Sequence, residues 1–246
     1  MGLSSYRNMS AFHHPASLAV TDLTCRRNGR LLFCGLSFAL KAGQALALTG
    51  PNGVGKTSLL RILAGLLRPE SGVLTVLPDA PDLDLAQRSV FVSSRDPLKG
   101  ALTVRELVGG WQSIVFGTDN GVLLPDALDA FELGPLADVP CGYLSSGQRR
   151  RVSLARLKLA NVEARPLWLL DEPTNALDAR ARARLADVVA AHLEAGGMVV
   201  AATHDSLSWP ELATLDLGQQ HLGQQHLGQT ALAEISRAHT LTDTGA

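Results

Sequence analysis

Short apolar runs broken by turn residues open the readable part of the chain. Over residues 18–48 they alternate with turns at Asn28-Gly29 and Ala42-Gly43, the pattern of antiparallel strands. Residues 44–49 form an apolar run that reads as a buried strand and empties into a glycine-rich stretch. Residues 56–64 then take helical spacing at Leu59, Leu60 and Leu63 and stop near Gly65.

The period changes to helical over about 97–165, with helices predicted at 103–116, 124–131 and 146–160. Short apolar runs return at 167–170, 198–202 and 213–217, around an amphipathic helix predicted at 178–195. Strands alternating with helices predict an α/β fold: a mainly parallel sheet beside an antiparallel β subdomain, with a helical insertion at about 97–165. The predicted plan is a loose N-terminal extension at 1–17, one α/β domain at 18–217 and a low-complexity tail at 218–246. The tail repeats Leu-Gly-Gln-Gln-His from Leu217 and again from Leu222, too briefly for a solenoid, and reads as flexible and polar. His13-His14, His221 and His226 are taken as parts of these loose segments.

Composition narrows the function. A length of 246 residues, 46% hydrophobic residues and a net charge of -1 argue against a disordered or nucleic-acid-coating protein. The basic run Arg149–Arg151 reads as the solvent face of a helix. Cys25, Cys34 and Cys141 form no C-x-x-C pair and are expected to be reduced, buried thiols of a cytosolic protein. No run of about 18 apolar residues predicts a membrane span, and residues 1–16 lack the apolar core of a secretory signal.

The chemistry begins at Gly50-Pro51-Asn52-Gly53-Val54-Gly55-Lys56-Thr57, the G-x-x-x-x-G-K-[ST] phosphate-binding pattern in its required strand–loop–helix setting. Without Cβ atoms, Gly50, Gly53 and Gly55 let backbone N–H groups curl round phosphates, and the helix N-terminus adds positive potential. Lys56 supplies a cation at the β- and γ-phosphates, and Thr57 a hydroxyl for Mg²⁺. Asp171 ends an apolar strand and places a carboxylate where Mg²⁺ would sit. Glu172 can polarise a water for in-line attack. Ser145-Ser146-Gly147-Gln148 begins a helix, with Ser145 a plausible N-cap and backbone N–H groups free to meet an anion.

Together with Asn175-Ala176-Leu177-Asp178 and His204, these motifs resemble the ATP-binding subunit of ABC (ATP-binding cassette) systems across about residues 18–217. The resemblance implies an ATPase using ATP and Mg²⁺, with nucleotide held by Gly50, Pro51, Asn52, Gly53, Val54, Gly55, Lys56, Thr57 and Ser58, and the metal by Thr57 and Asp171. It makes Glu172 and His204 catalytic, with His204 holding the γ-phosphate and attacking water. It also implies a head-to-tail homodimer. There Ser145, Ser146, Gly147 and Gln148 of one copy cap the nucleotide of the other, and Asp178 lies at the dimer seam.

Two departures stand out. Such ATPases usually carry a glutamine after the strand near residues 89–93, linking Mg²⁺ to the helical insertion. Here Ser93-Ser94-Arg95-Asp96-Pro97 follows instead, leaving Ser94, Arg95 or Asp96 to take its part. An aromatic residue usually stacks on adenine early in the chain, whereas this sequence offers Arg27, whose planar guanidinium can also stack.

The wording around the motifs, in residues 30–38, 98–103, 142–156 and 166–173, is similar to that of the ATP-binding subunit of the bacterial heme exporter in cytochrome c maturation. That likeness implies a peripheral subunit on the cytoplasmic face of the inner membrane. Its partners would be an integral membrane permease subunit and other cytochrome c maturation proteins, with no nucleic acid. An ATPase subunit for another solute is the alternative. Non-transport ABC proteins usually carry long coiled coils or two cassettes, which this sequence lacks.

Overall fold

The computed structural model describes residues 16–77, 84–95, 97–115, 123–162 and 164–218. It opens on an antiparallel hairpin of β1 (Ser17–Arg27) and β2 (Arg30–Lys41). Asn28 and Gly29 close it with φ of 50° and 77°, the twist-compatible geometry of a two-residue hairpin turn. β3 (Ala45–Thr49) runs into the glycine loop and α1 (Lys56–Leu63), after which β4 (Ser71–Leu77) pairs with the free edge of β1. The antiparallel sheet therefore has the order β2-β1-β4.

The short α2 (Leu85–Arg88) leads into β5 (Ser89–Val92), followed by α3 (Val104–Val115), α4 (Leu123–Ala130) and α5 (Ser146–Ala155). β6 (Leu167–Asp171), α6 (Ala179–Glu194), β7 (Met198–Ala202) and β8 (Leu212–Asp216) complete the described elements. β5-β6-β7-β3-β8 form one sheet, every neighbouring pair parallel. The helix predicted at 146–160 gives way to a 3₁₀ turn at Arg156–Leu159. There Arg156 donates to Ser153 O at 3.0 Å and lies over the Trp111 ring, tightening the last turn.

Alternate residues of the central strands feed two separate cores. Trp168, Leu170, Val199 and Ala201 pack against α6 and the helices between β5 and β6. Leu167, Leu169, Met198, Val200 and Ala202 pack against α1 and the antiparallel sheet. Burial on both faces explains why these strands read as unbroken apolar runs. Cys25 and Cys141 are buried, and burial raises both thiol pKa values. Cys34 is exposed, contrary to the sequence expectation, and accepts a bond from the Thr24 hydroxyl. Residues 1–15 and 219–246, which hold the four histidines assigned to the loose segments, lie outside the described residues. Among the described residues no helix is long and apolar enough to cross a membrane.

One buried histidine makes stability pH-dependent. The His192 ring stacks on Trp168 at 3.7 Å between centroids, and Nε2, facing the Pro166 carbonyl at 3.0 Å, must be the protonated nitrogen. Burial lowers its pKa to about 4, against bonds to the Pro166 and Met198 backbone that raise it. Since the unfolded chain takes up this proton near pH 6.5, stability is full above that value and falls as pH drops toward 4. From pH 7 to pH 5 the loss through this group is expected to be about 2 kcal/mol. Urea unfolding at the two pH values measures it, and His192→Phe should flatten the dependence.

Candidate active site

The parallel strands deliver their chemistry to one edge, where the sheet's carboxyl ends meet the turns, as is usual for ligand sites of open α/β sheets. Residues 50–58 follow β3, Ser93-Ser94 follow β5, Asp171 closes β6 with Glu172 next, and Thr203-His204 follow β7. Of these, residues 51–53 and 55–58, Ser94, Asp171 and Glu172 line a cavity of 720 Å³ together with Arg27, Asn28, Arg30 and Leu32 of the β1–β2 hairpin. Arg27, expected from the sequence to face the base, is thus on the cavity wall.

The loop geometry requires its glycines. Gly55 sits at φ 121°, and a Cβ there would come 3.1 Å from the Phe33 ring and 3.2 Å from Leu32. That leaves the N-terminus of α1 without a side-chain cap or an acidic residue in its first turn, so its N–H groups stay open to an anion. Lys56 is buried and donates to the carbonyls of Gly50 at 2.6 Å and Pro51 at 3.3 Å. Burial lowers its pKa, while the carboxylates of Glu172, Asp171 and Asp216 pull the other way.

Three oxygen-bearing side chains converge beside the lysine. Asp171, buried at the end of β6, accepts the Thr57 hydroxyl at 3.1 Å and the Ser94 hydroxyl at 3.0 Å. Of the three replacements for the absent glutamine, Ser94 makes this contact, Arg95 is exposed and Asp96 lies outside the described residues. Two hydroxyls and a carboxylate, all hard oxygen donors, suit a small ion such as Mg²⁺, which keeps several of its waters.

Glu172 has φ 47°, a left-handed conformation that costs a non-glycine residue about 1 kcal/mol or more and tends to persist where surroundings enforce it. Its backbone N–H donates to Ala202 O at 2.8 Å. Its carboxylate lies 3.5 Å from His204 Nε2, which is also 2.8 Å from Asn52 Oδ1 and 3.1 Å from Lys56 Nζ. Next to His204, Asp205 accepts the Thr174 hydroxyl at 2.8 Å and pairs with Arg182 at 3.0 Å, bracing the turn. Sequence reasoning missed this brace.

The other predicted residues lie elsewhere. Ser145, Gly147, Gln148 and Asp178 line a separate cavity of 170 Å³, and none of residues 145–148 lines the phosphate-loop cavity of the same chain. Ser145 and Gln148 close a reciprocal capping box on α5, which leaves Ser146 and Gly147 in its first turn. Gly147 comes so near the Ala176 carbonyl that a Cβ would lie 2.7 Å from its oxygen. Asp178 caps α6 by accepting from Ala181 N at 2.7 Å.

Of the three arginines that open α5, only Arg149 is exposed as expected, donating to Leu144 O at 2.6 Å. Arg150 is buried and donates to the carbonyls of Ser93 at 2.6 Å, Asp171 and Glu172 at 2.8 Å each, and Pro173 at 3.3 Å. Arg151 reaches the carbonyls of Phe131 and Glu132. A guanidinium can be buried when backbone oxygens satisfy its fork of donors. The available signal was spacing: Arg150 lies on the stripe of Leu154 and Leu157.

The model of the ABC transporter family matches residues 33–175, more than half of the chain. The chain belongs to this family. As an ABC ATPase it is an ATP-hydrolysing enzyme. The ABC ATPase is similar over most of its length to cytochrome c biogenesis ATP-binding export proteins CcmA. That of Rhodopseudomonas palustris (strain BisB5) is 45% identical over 190 residues, covering 77% of this chain and 92% of that protein. That of Rhizobium meliloti is 44% identical over 204 residues, covering 81% and 97%. Among solved structures, a putative ABC transporter ATP-binding protein from Pyrococcus furiosus matches with a TM-score of 0.70 at 23% identity, covering 82% of this chain and 98% of that one. This likeness establishes the shared fold.

Proposed function

We propose that this ABC ATPase is the ATP-hydrolysing subunit of a membrane complex for cytochrome c maturation, bound peripherally at the cytoplasmic face of the inner membrane. Its partners are an integral membrane permease subunit of the heme exporter and other maturation proteins, with no nucleic acid. The near full-length similarity to cytochrome c biogenesis export proteins carries this choice of system.

In this reading the loop residues 50–58 hold the ATP phosphates, and Lys56 turns from the Gly50 and Pro51 carbonyls to the β- and γ-phosphates. Thr57 and Asp171 would hold Mg²⁺, with Ser94 fixing the carboxylate; the bound ion would supply neutralisation of the charge on the phosphates. Glu172 accepts a proton from water as its oxygen attacks the γ-phosphorus, and the bond to the bridging oxygen breaks to release ADP and phosphate. His204, between Asn52 and Glu172, orients the water and γ-phosphate. Because residues 145–148 do not line their own chain's phosphate-loop cavity, a second copy set head to tail supplies them, with Asp178 at the seam.

Cells carrying Glu172→Gln are expected to make apocytochromes c but fail to attach heme. Heme staining of c-type cytochromes tests this, with a b-type cytochrome as the control for heme supply. Normal c-type staining would overturn the cytochrome c assignment, and co-purification with an unrelated permease would favour another solute.

A further inference from the structure

The geometry points to Arg150 as a positioning residue that couples the helix bearing Ser146 and Gly147 to the hydrolysis machinery of the same chain, through the backbone of Glu172. The inference rests on the hydrolysis roles proposed above for Asp171 and Glu172, and it assigns Arg150 no contact with nucleotide.

Arg150 sits in the second turn of α5 and is one of few buried charged side chains among the described residues. Its guanidinium gathers two separate pieces of chain, the turn after β5 and the run 171–173 at the end of β6. Ser93 O belongs to the turn whose next residue, Ser94, holds Asp171 by its hydroxyl. Asp171 O and Glu172 O belong to the residues proposed to hold the metal and accept the proton. Pro173 O leads toward Asn175–Asp178, where Ala176 touches Gly147.

Glu172 occupies a left-handed backbone conformation that surrounding bonds must maintain. Ala202 O holds it from one side through its N–H, and Arg150 holds it from the other through its carbonyl. A shift of α5 when an anion engages its first turn moves the guanidinium, and with it the carbonyl that orients Glu172. The same shift acts on Ser94 through Ser93. The arginine thus stands in the path between nucleotide capping and water activation.

Arg150→Lys keeps the charge but replaces the planar fork with a single ammonium group, which cannot span these acceptors. In the full-length chain it is expected to lower the kcat for ATP at least roughly tenfold while leaving the Kd for a fluorescent ATP analogue within about twofold, the signature of a group acting on the transition state rather than on binding. Arg165→Lys serves as comparison, since Arg165 likewise clamps carbonyls, of Ala86 and Ser89, away from the cavity of residues 50–58. It should lower the melting temperature without changing kcat per folded molecule.

A second measurement separates coupling from folding. In the Glu172→Gln background, adding Arg150→Lys should lower residual turnover no further, because both changes act through one group. Unchanged kcat in Arg150→Lys would overturn the proposal. So would a fall in kcat matched by an equal loss of folded protein, or a fully additive double variant. Wild-type turnover in Glu172→Gln alone is a different failure, which removes the hydrolysis assignment and this inference together.

Discussion

Glu172→Gln is expected to bind ATP as the wild type does and to lose turnover by roughly 10²-fold or more, the usual contribution of a positioned general base. The side chain keeps its size, so the unusual backbone at φ 47° and the bonds from Ala202 and Arg150 persist. What disappears is a carboxylate 3.5 Å from His204 Nε2, able to take a proton from water. If ATP closes two copies and hydrolysis reopens them, the variant should accumulate as an ATP-dependent dimer. Phosphate release and light scattering with and without ATP measure the two effects. Wild-type phosphate release would remove Glu172 from the chemistry.

Lys56→Ala is expected to weaken ATP binding by about 2 kcal/mol or more, a loss of roughly 30-fold or greater, as when one partner of a hydrogen-bonded charge pair is truncated. Lys56 is buried and ties the carbonyls of Gly50 and Pro51 together, so its loss also loosens the loop. Lys56→Met restores the buried stem without the charge. Both variants should lose affinity, with Lys56→Met keeping the higher melting temperature. Titration calorimetry and thermal unfolding separate the contributions, and wild-type affinity in folded Lys56→Met would sink the assigned role.

What could be read in the sequence was local. The glycine loop, the acid pair closing an apolar strand and the Asn28-Gly29 turn each carry their chemistry within a few residues, and the structure places them as such. What escaped depended on partners distant in sequence. β4 was not assigned, because its strand character comes from pairing with β1, half a sheet away along the chain. The reciprocal cap of Ser145 and Gln148 was only half visible, since a serine signals a cap but a glutamine three residues on has many uses. Ser94 could not be separated from Arg95 and Asp96 until Asp171 was in place. Arg150 was misjudged for the most general reason: charged residues are nearly always exposed, and the oxygens that permit its burial come from two other segments.

The nature of those oxygens has an evolutionary consequence. Ion pairs such as Arg180 and Arg184 with Glu132 join two side chains, so a change in one can be answered by a change in the other. The acceptors of Arg150 are main-chain atoms, which every amino acid supplies. Replacement of Ser93 or Pro173 by natural drift therefore leaves the bonds in place, and no second-site replacement there restores them once the guanidinium is gone. Correlated substitution would be silent about this link, while a single codon holds it.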